Sequence, residues 1–163
     1  MEPRFETATE RKLIGKRMMM SFSNNRTYEL WRSLMPRRQE IQNSIGADLY
    51  SVEVYAPLYF DNFDPGAEFE KWAAIEVRDY QTIPDGMETM PLPAGLYAVF
   101  VHHGPASAGP KTYQHILGTW LPASDFVLDN RPHLAVMGEK YKNEDLNSEE
   151  ELWIPVKPKA ELK

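Results

Sequence analysis

The 163-residue chain contains no cysteine. Disulfides, thiolate metal sites and a cysteine nucleophile are therefore excluded, and the composition fits a reducing cytoplasm. No apolar run approaches the roughly 18 residues of a membrane span, so no transmembrane helix is expected. The N-terminus lacks an apolar signal region, because Met18-Met19-Met20 is short and sits behind charges. Phosphate loop, dinucleotide glycine fingerprint and nucleophile elbow are all missing. So is a basic stripe. The net charge is −6, and residues 48–90 carry two basic against ten acidic side chains. No direct nucleic-acid binding and no membrane association are expected. The acidic middle favours cationic ligands or basic partners, or serves simply as a solvated face.

What is present is core-forming material. Hydrophobic residues make up 42% of the chain, charged residues 26% and aromatics 12%. That suits a single domain spanning 1–163, or two small fused halves, about 1–82 and 88–160.

Element signals recur in a β-α-β-β order. Residues 4–20 lack a clean period and read as one long edge-type strand. Ser23-Asn24-Asn25 offers helix-capping side chains, and Leu30, Trp31 and Leu34 form a stripe for a helix near 25–42, which Pro36 should kink or split. Ser51 to Tyr55 alternates as a strand, and Trp72 to Val77 reads as another. Pro84-Asp85-Gly86 and Pro91 to Gly95 are linker signals. Leu96 to Val101 is a buried strand. Pro110 suits the first turn of a second helix near 109–121, whose Tyr113, Ile116, Leu117, Trp120 and Leu121 lie on one stripe until Pro122 stops it. Leu134 to Met137 and Glu151 to Val156 complete the set, with Pro155 suggesting an edge or strand end. Two such units, each too small to bury a core alone, can share one antiparallel sheet with both helices on one face and a ligand groove between the halves.

Candidate chemistry is sparse. His102 and His103 are strand neighbours that face opposite sides, and His115 and His133 lack ligand-spaced companions, so structural or surface roles are expected and no metal or other cofactor. Alternation places Glu151, Trp153 and Pro155 on one face of the last strand. An acid beside an indole could hold a cation, could act as a general acid or base, or could be a rim glutamate beside a packing tryptophan. Ser51, Glu53 and Tyr55 form a similar polar-aromatic face, with Glu53 read as solvent-facing or as a second pocket acid. Tyr97 and Trp72 either line a groove or pack in the core. Trp31 and Trp120, on helical stripes, read as core.

The stretch Ile83-Pro84-Asp85-Gly86, then Leu92-Pro93-Ala94-Gly95-Leu96-Tyr97-Ala98-Val99-Phe100, then His102-His103-Gly104-Pro105 resembles the GyrI-like effector-binding domain family. Trp120-Leu121-Pro122-Ala123-Ser124 and the ending Glu151 to Val156 fit it too. The resemblance implies an α+β fold of duplicated βαββ units, similar to the SOUL proteins. It implies a small-molecule-binding protein of the type found in AraC-type and MerR-type transcription regulators and in drug or toxin response, for amphipathic or cationic ligands. Hydrolases of reactive small molecules and gyrase inhibitors are the family's other functions, so gyrase or a separate regulator is the implied protein partner. The family's pocket glutamate falls on Glu151, with Trp153 as its same-face pocket neighbour; Tyr97, Tyr55 and Trp72, from the strand faces read above, are the further candidates for ligand contact, and in a hydrolase Glu151 would be catalytic and Tyr97 would assist. Ala135 and Met137 stand where many relatives carry an acid and an aromatic. No helix-turn-helix precedes the first strand, so DNA binding is expected only from a separate protein.

Overall fold

The computed structural model describes residues 1–162. Among these described residues, nine strands and two main helices form one antiparallel system. The strands are β1 (Arg4–Ala8), β2 (Arg11–Met20), β3 (Leu49–Val54), β4 (Phe69–Val77), β5 (Glu88–Leu92), β6 (Gly95–His103), β7 (Phe126–Leu128), β8 (His133–Met137) and β9 (Glu149–Pro158). The helices are α1 (Thr27–Leu34) and α2 (Gly109–His115). The order β2-α1-β3-β4 recurs as β6-α2-β8-β9.

Proline shapes both helices. After Leu34 the chain tightens into a 3-10 segment, Met35–Glu40, with Pro36 in its first turn, so the expected 25–42 helix is split. The start is fixed by Asn25, whose Oδ1 accepts the Thr27 N–H at 2.9 Å. The second helix widens after His115 into a π-type turn over Ile116–Trp120 and ends one turn later at Ala123.

The sheet path runs β1-β6-β9-β8-β3-β4-β2-β5, with β7 paired to β9. The long edge strand expected at 4–20 is instead two strands serving opposite ends of this path. β1 pairs with β6, while β2 lies inside, between β4 and β5. Pro91, expected in a linker, belongs to β5 opposite Lys12. Pro155 does not mark an edge. It pairs with Tyr97 on β6, and on its other side β8 stops at Trp153 while β7 begins at Val156, so its missing N–H falls in the gap.

Two-residue connections join the ends of the path: Thr9-Glu10 between β1 and β2, and Pro93-Ala94 between β5 and β6. Such a link spans at most about 10 Å, so the two edges lie close together and the sheet is curled. Alternation then yields two faces. On the helix face, Leu30 and Leu34 of α1 pack on Ile14, Met20, Phe69 and Ile75, and Ile116 packs on Phe100, Ile154 and Val156. The opposite face gathers Leu13, Tyr50, Val52, Trp72, Leu92, Tyr97, Leu134 and Trp153 into one cluster.

Candidate ligand-binding site

Glu151 lies on this aromatic face, near the start of β9, flanked across the sheet by Val101 of β6 and Val136 of β8. Its side chain is 34% exposed. One carboxylate oxygen accepts from Arg4 Nη2 at 2.8 Å, the other from the Trp153 indole Nε1 at 3.1 Å. The alternation of β9 makes the second contact possible, since residues i and i+2 share a face.

Two open clefts, each of about 420 Å³, meet here. One is bordered by Asp48, Val136, Gly138, Glu139 and Glu151; the other by Met1, Glu2, Arg4, Val99 and His103. Val101 lines both. The first is rich in carboxylates, so its field attracts cations.

Beneath the carboxylate the rings are closely packed. Trp153 and Tyr97 meet edge to face at 5.5 Å between centroids, and both are buried, as are Trp72 and Tyr50. The Trp72 indole N–H is buried without a hydrogen-bond partner. Guanidinium groups lie against these rings. Arg11 is 4.9 Å from the Trp153 centroid and 6.0 Å from Tyr50; Arg4 is 5.9 Å from Trp153; Arg131 is 4.6 Å from Tyr97. Burial pushes the Tyr97 hydroxyl above its ordinary value, an effect that Arg131 opposes. Hydrogen bonding to Glu151 raises the Arg4 guanidinium further. Tyr50, whose hydroxyl donates to Glu76 at 3.1 Å, is raised strongly, by burial first and then by that carboxylate.

Glu151, Trp153, Tyr97 and Trp72 therefore share one face. Tyr55 does not join them. It lies on the helix face, 4.9 Å from both the Tyr59 and His133 ring centroids. Glu53 is also on that face and is not solvent-facing: it pairs with Lys71 at 3.3 Å, and burial raises its carboxyl. Glu150 joins the same environment and is raised for the same reason. His102 and His133 are buried there. His102 Nε2 donates to the Pro105 carbonyl at 3.0 Å, and His133 shares a hydrogen bond with Tyr113. Among the described residues no group of three or more His, Asp or Glu side chains could hold a metal ion, and no helix is long and apolar enough to cross a membrane. Tyr50, Arg4 and Arg11 are site residues that sequence reasoning missed. Tyr50 carried a signal, sharing strand phase with Val52.

Residues 1–157 match the GyrI-like small molecule binding domain family. The chain belongs to this family. This GyrI-like domain is 28% identical over 149 residues to the transcriptional regulator BrlR of Pseudomonas aeruginosa, a match covering 88% of the chain and 51% of BrlR. It thus spans about half the length of that curated relative. Its fold is similar to that of SAV2435, solved bound to tetraphenylphosphonium (TM-score 0.73, 12% identity, 96% of this chain and 94% of that one). It is also similar to the EcmrR C-terminal domain (TM-score 0.71, 15% identity, 96% and 98%). The GyrI-like domain is accordingly a small-molecule-binding domain related to parts of transcription regulators.

Proposed function

We propose that this domain binds amphipathic organic cations at Glu151, and so senses or sequesters them. The observation that carries the reading is the Glu151 carboxylate, lining one open cleft beside Val101, which borders both clefts, with the Trp153 indole as its hydrogen-bond donor. A cation seated there gains charge attraction and ring contact together, and partial desolvation strengthens both. SAV2435, a protein of similar fold, was solved with tetraphenylphosphonium, a ligand of this chemistry. Both Glu151 oxygens already act as acceptors, an arrangement that suits holding a cation better than handling a proton in hydrolysis. The relationship to BrlR supports a sensing role linked to transcription regulation.

The test is titration with tetraphenylphosphonium, followed by quenching of the four tryptophans, beside the neutral triphenylphosphine oxide. Glu151→Gln keeps the shape and removes the charge. It is expected to weaken the cation by roughly tenfold or more, the scale of a charge-assisted contact, and to leave the neutral compound nearly unchanged. Glu68→Gln, an exposed acid on a loop away from the site, is the control. Equal losses in both variants would reduce the effect to general surface electrostatics and overturn the assignment.

A further inference from the structure

Arg11 is one of four arginines without an ion pair among the described residues, beside Arg32, Arg38 and Arg78, and of these four only Arg11 lies over aromatic rings. Arg4, Arg17, Arg26, Arg37 and Arg131 each pair with a carboxylate. The Arg11 guanidinium lies 4.9 Å from the Trp153 ring centroid and 6.0 Å from that of Tyr50. Arg4 completes the arrangement by contacting both parts of the site, the Glu151 carboxylate and the Trp153 ring. Between them the two side chains occupy the positions where charge and ring face would receive a cation.

We infer that Arg11 and Arg4 are built-in competitors of the ligand, and that a cation enters this site by exchange for their guanidinium groups. The inference rests on the proposed reading of Glu151 as the cation-binding residue. Its physical basis is that one carboxylate and one indole cannot hold two further positive charges without repulsion, so a bound cation must displace at least one guanidinium. Both side chains are able to leave. Arg4 is about half exposed on the edge strand β1, and Arg11 opens β2 immediately after the two-residue link. The two arginines stand on the two strands that the Thr9-Glu10 link joins. Selectivity follows as well. A ligand must offer more ring contact or a better-desolvated charge than a guanidinium does, which favours bulky aromatic cations over small hydrated amines.

The experiment uses the whole chain and tetraphenylphosphonium, with triphenylphosphine oxide as the neutral probe. Arg11→Met keeps an apolar stem and removes the charge, and Arg4→Met does the same at the carboxylate. Each is expected to tighten tetraphenylphosphonium by roughly 3- to 30-fold, the factor that corresponds to one ring-held cation, and to change the neutral probe less than about twofold. A second readout needs no variant. The Arg11 Nε–H resonance of the parent protein, shifted by the Trp153 ring current, should move toward the position of a free arginine at saturating tetraphenylphosphonium. Binding that is Glu151-dependent but unchanged or weakened in both arginine variants overturns the exchange while leaving the cation site standing, and an Arg11 resonance that stays fixed at saturation overturns it for Arg11. No binding to the parent or to either arginine variant overturns the reading of the site itself.

Discussion

Gly95 shows how closely the site's floor is built. It opens β6, and a Cβ added there would overlap the guanidinium of Arg131. That side chain has little freedom to yield: its Nε donates to Asp129 at 2.7 Å, its Nη2 donates to the Leu96 carbonyl, and its plane lies on the Tyr97 ring. Gly95→Ala is therefore expected to destabilise by about 1–3 kcal/mol, the usual cost of overpacking. Urea unfolding measures it, and a loss below about 0.5 kcal/mol would mean that Arg131 is free to move. At this scale the sequence was informative along a strand and silent between strands. Alternation alone puts Glu151 and Trp153 on one face. It cannot phase β3 against β9, because that depends on the register Val52 to Leu134 to Trp153, which is set only in the folded sheet. Sequence alone therefore leaves Tyr55 beside Glu151, and the folded register separates them. Nothing in the sequence marks Arg4 and Arg11, because charged residues near strand ends ordinarily face water.

Elements whose burial is one-sided were legible; those defined by their partners were not. Both helices carried stripes, and Pro36 and Pro110 acted where their chemistry dictates. β1, β5 and β7 have five residues or fewer and exist through pairing with longer strands, so local pattern had little to offer. The π-type turn of the second helix carries a measurable consequence. It places Trp120 edge to face with Phe100, ring centroids 5.0 Å apart, and 6.3 Å from Phe5 of β1. The indole is half-buried, so Trp120→Ala should cost about 2–3 kcal/mol, less than the roughly 3–5 kcal/mol of a fully buried ring. Equilibrium urea melts would report it, and a change under about 1 kcal/mol would show that the β1–helix contact contributes little.

The whole molecule is joined along the pairing of β3 with β8, the only ladder directly linking the repeated β-α-β-β units among the described residues. Beside that seam, on the helix face, His133 is buried against Tyr55 and Tyr113, with Phe60 covering it. Burial, aided by the charge of Arg131, holds its imidazole down at about 3, against an ordinary value of 6.5. The sign of the linkage follows. Between these values the unfolded chain binds a proton at this residue that the folded chain refuses, so stability is fully present above about pH 6.5 and is lost as the pH falls toward 3. The slope from this group approaches about 1.4 kcal/mol per pH unit within the window. Glu53 and Glu150 act oppositely. Burial raises both carboxyls, so the folded state takes up their protons first and gains stability as the pH drops through their folded values. The parent's net acid slope is thus a partial cancellation, and a comparison is needed to isolate the histidine. His133→Gln keeps a polar side chain without a titrating ring. Urea melts of parent and variant at intervals from pH 7 to pH 4 should show the stability gap between them narrowing steadily, because only the parent pays the histidine's proton-refusal cost. A gap that stays constant across that range would mean that His133 takes up its proton in the folded state as readily as in the unfolded one, and that the seam between the units is open to water.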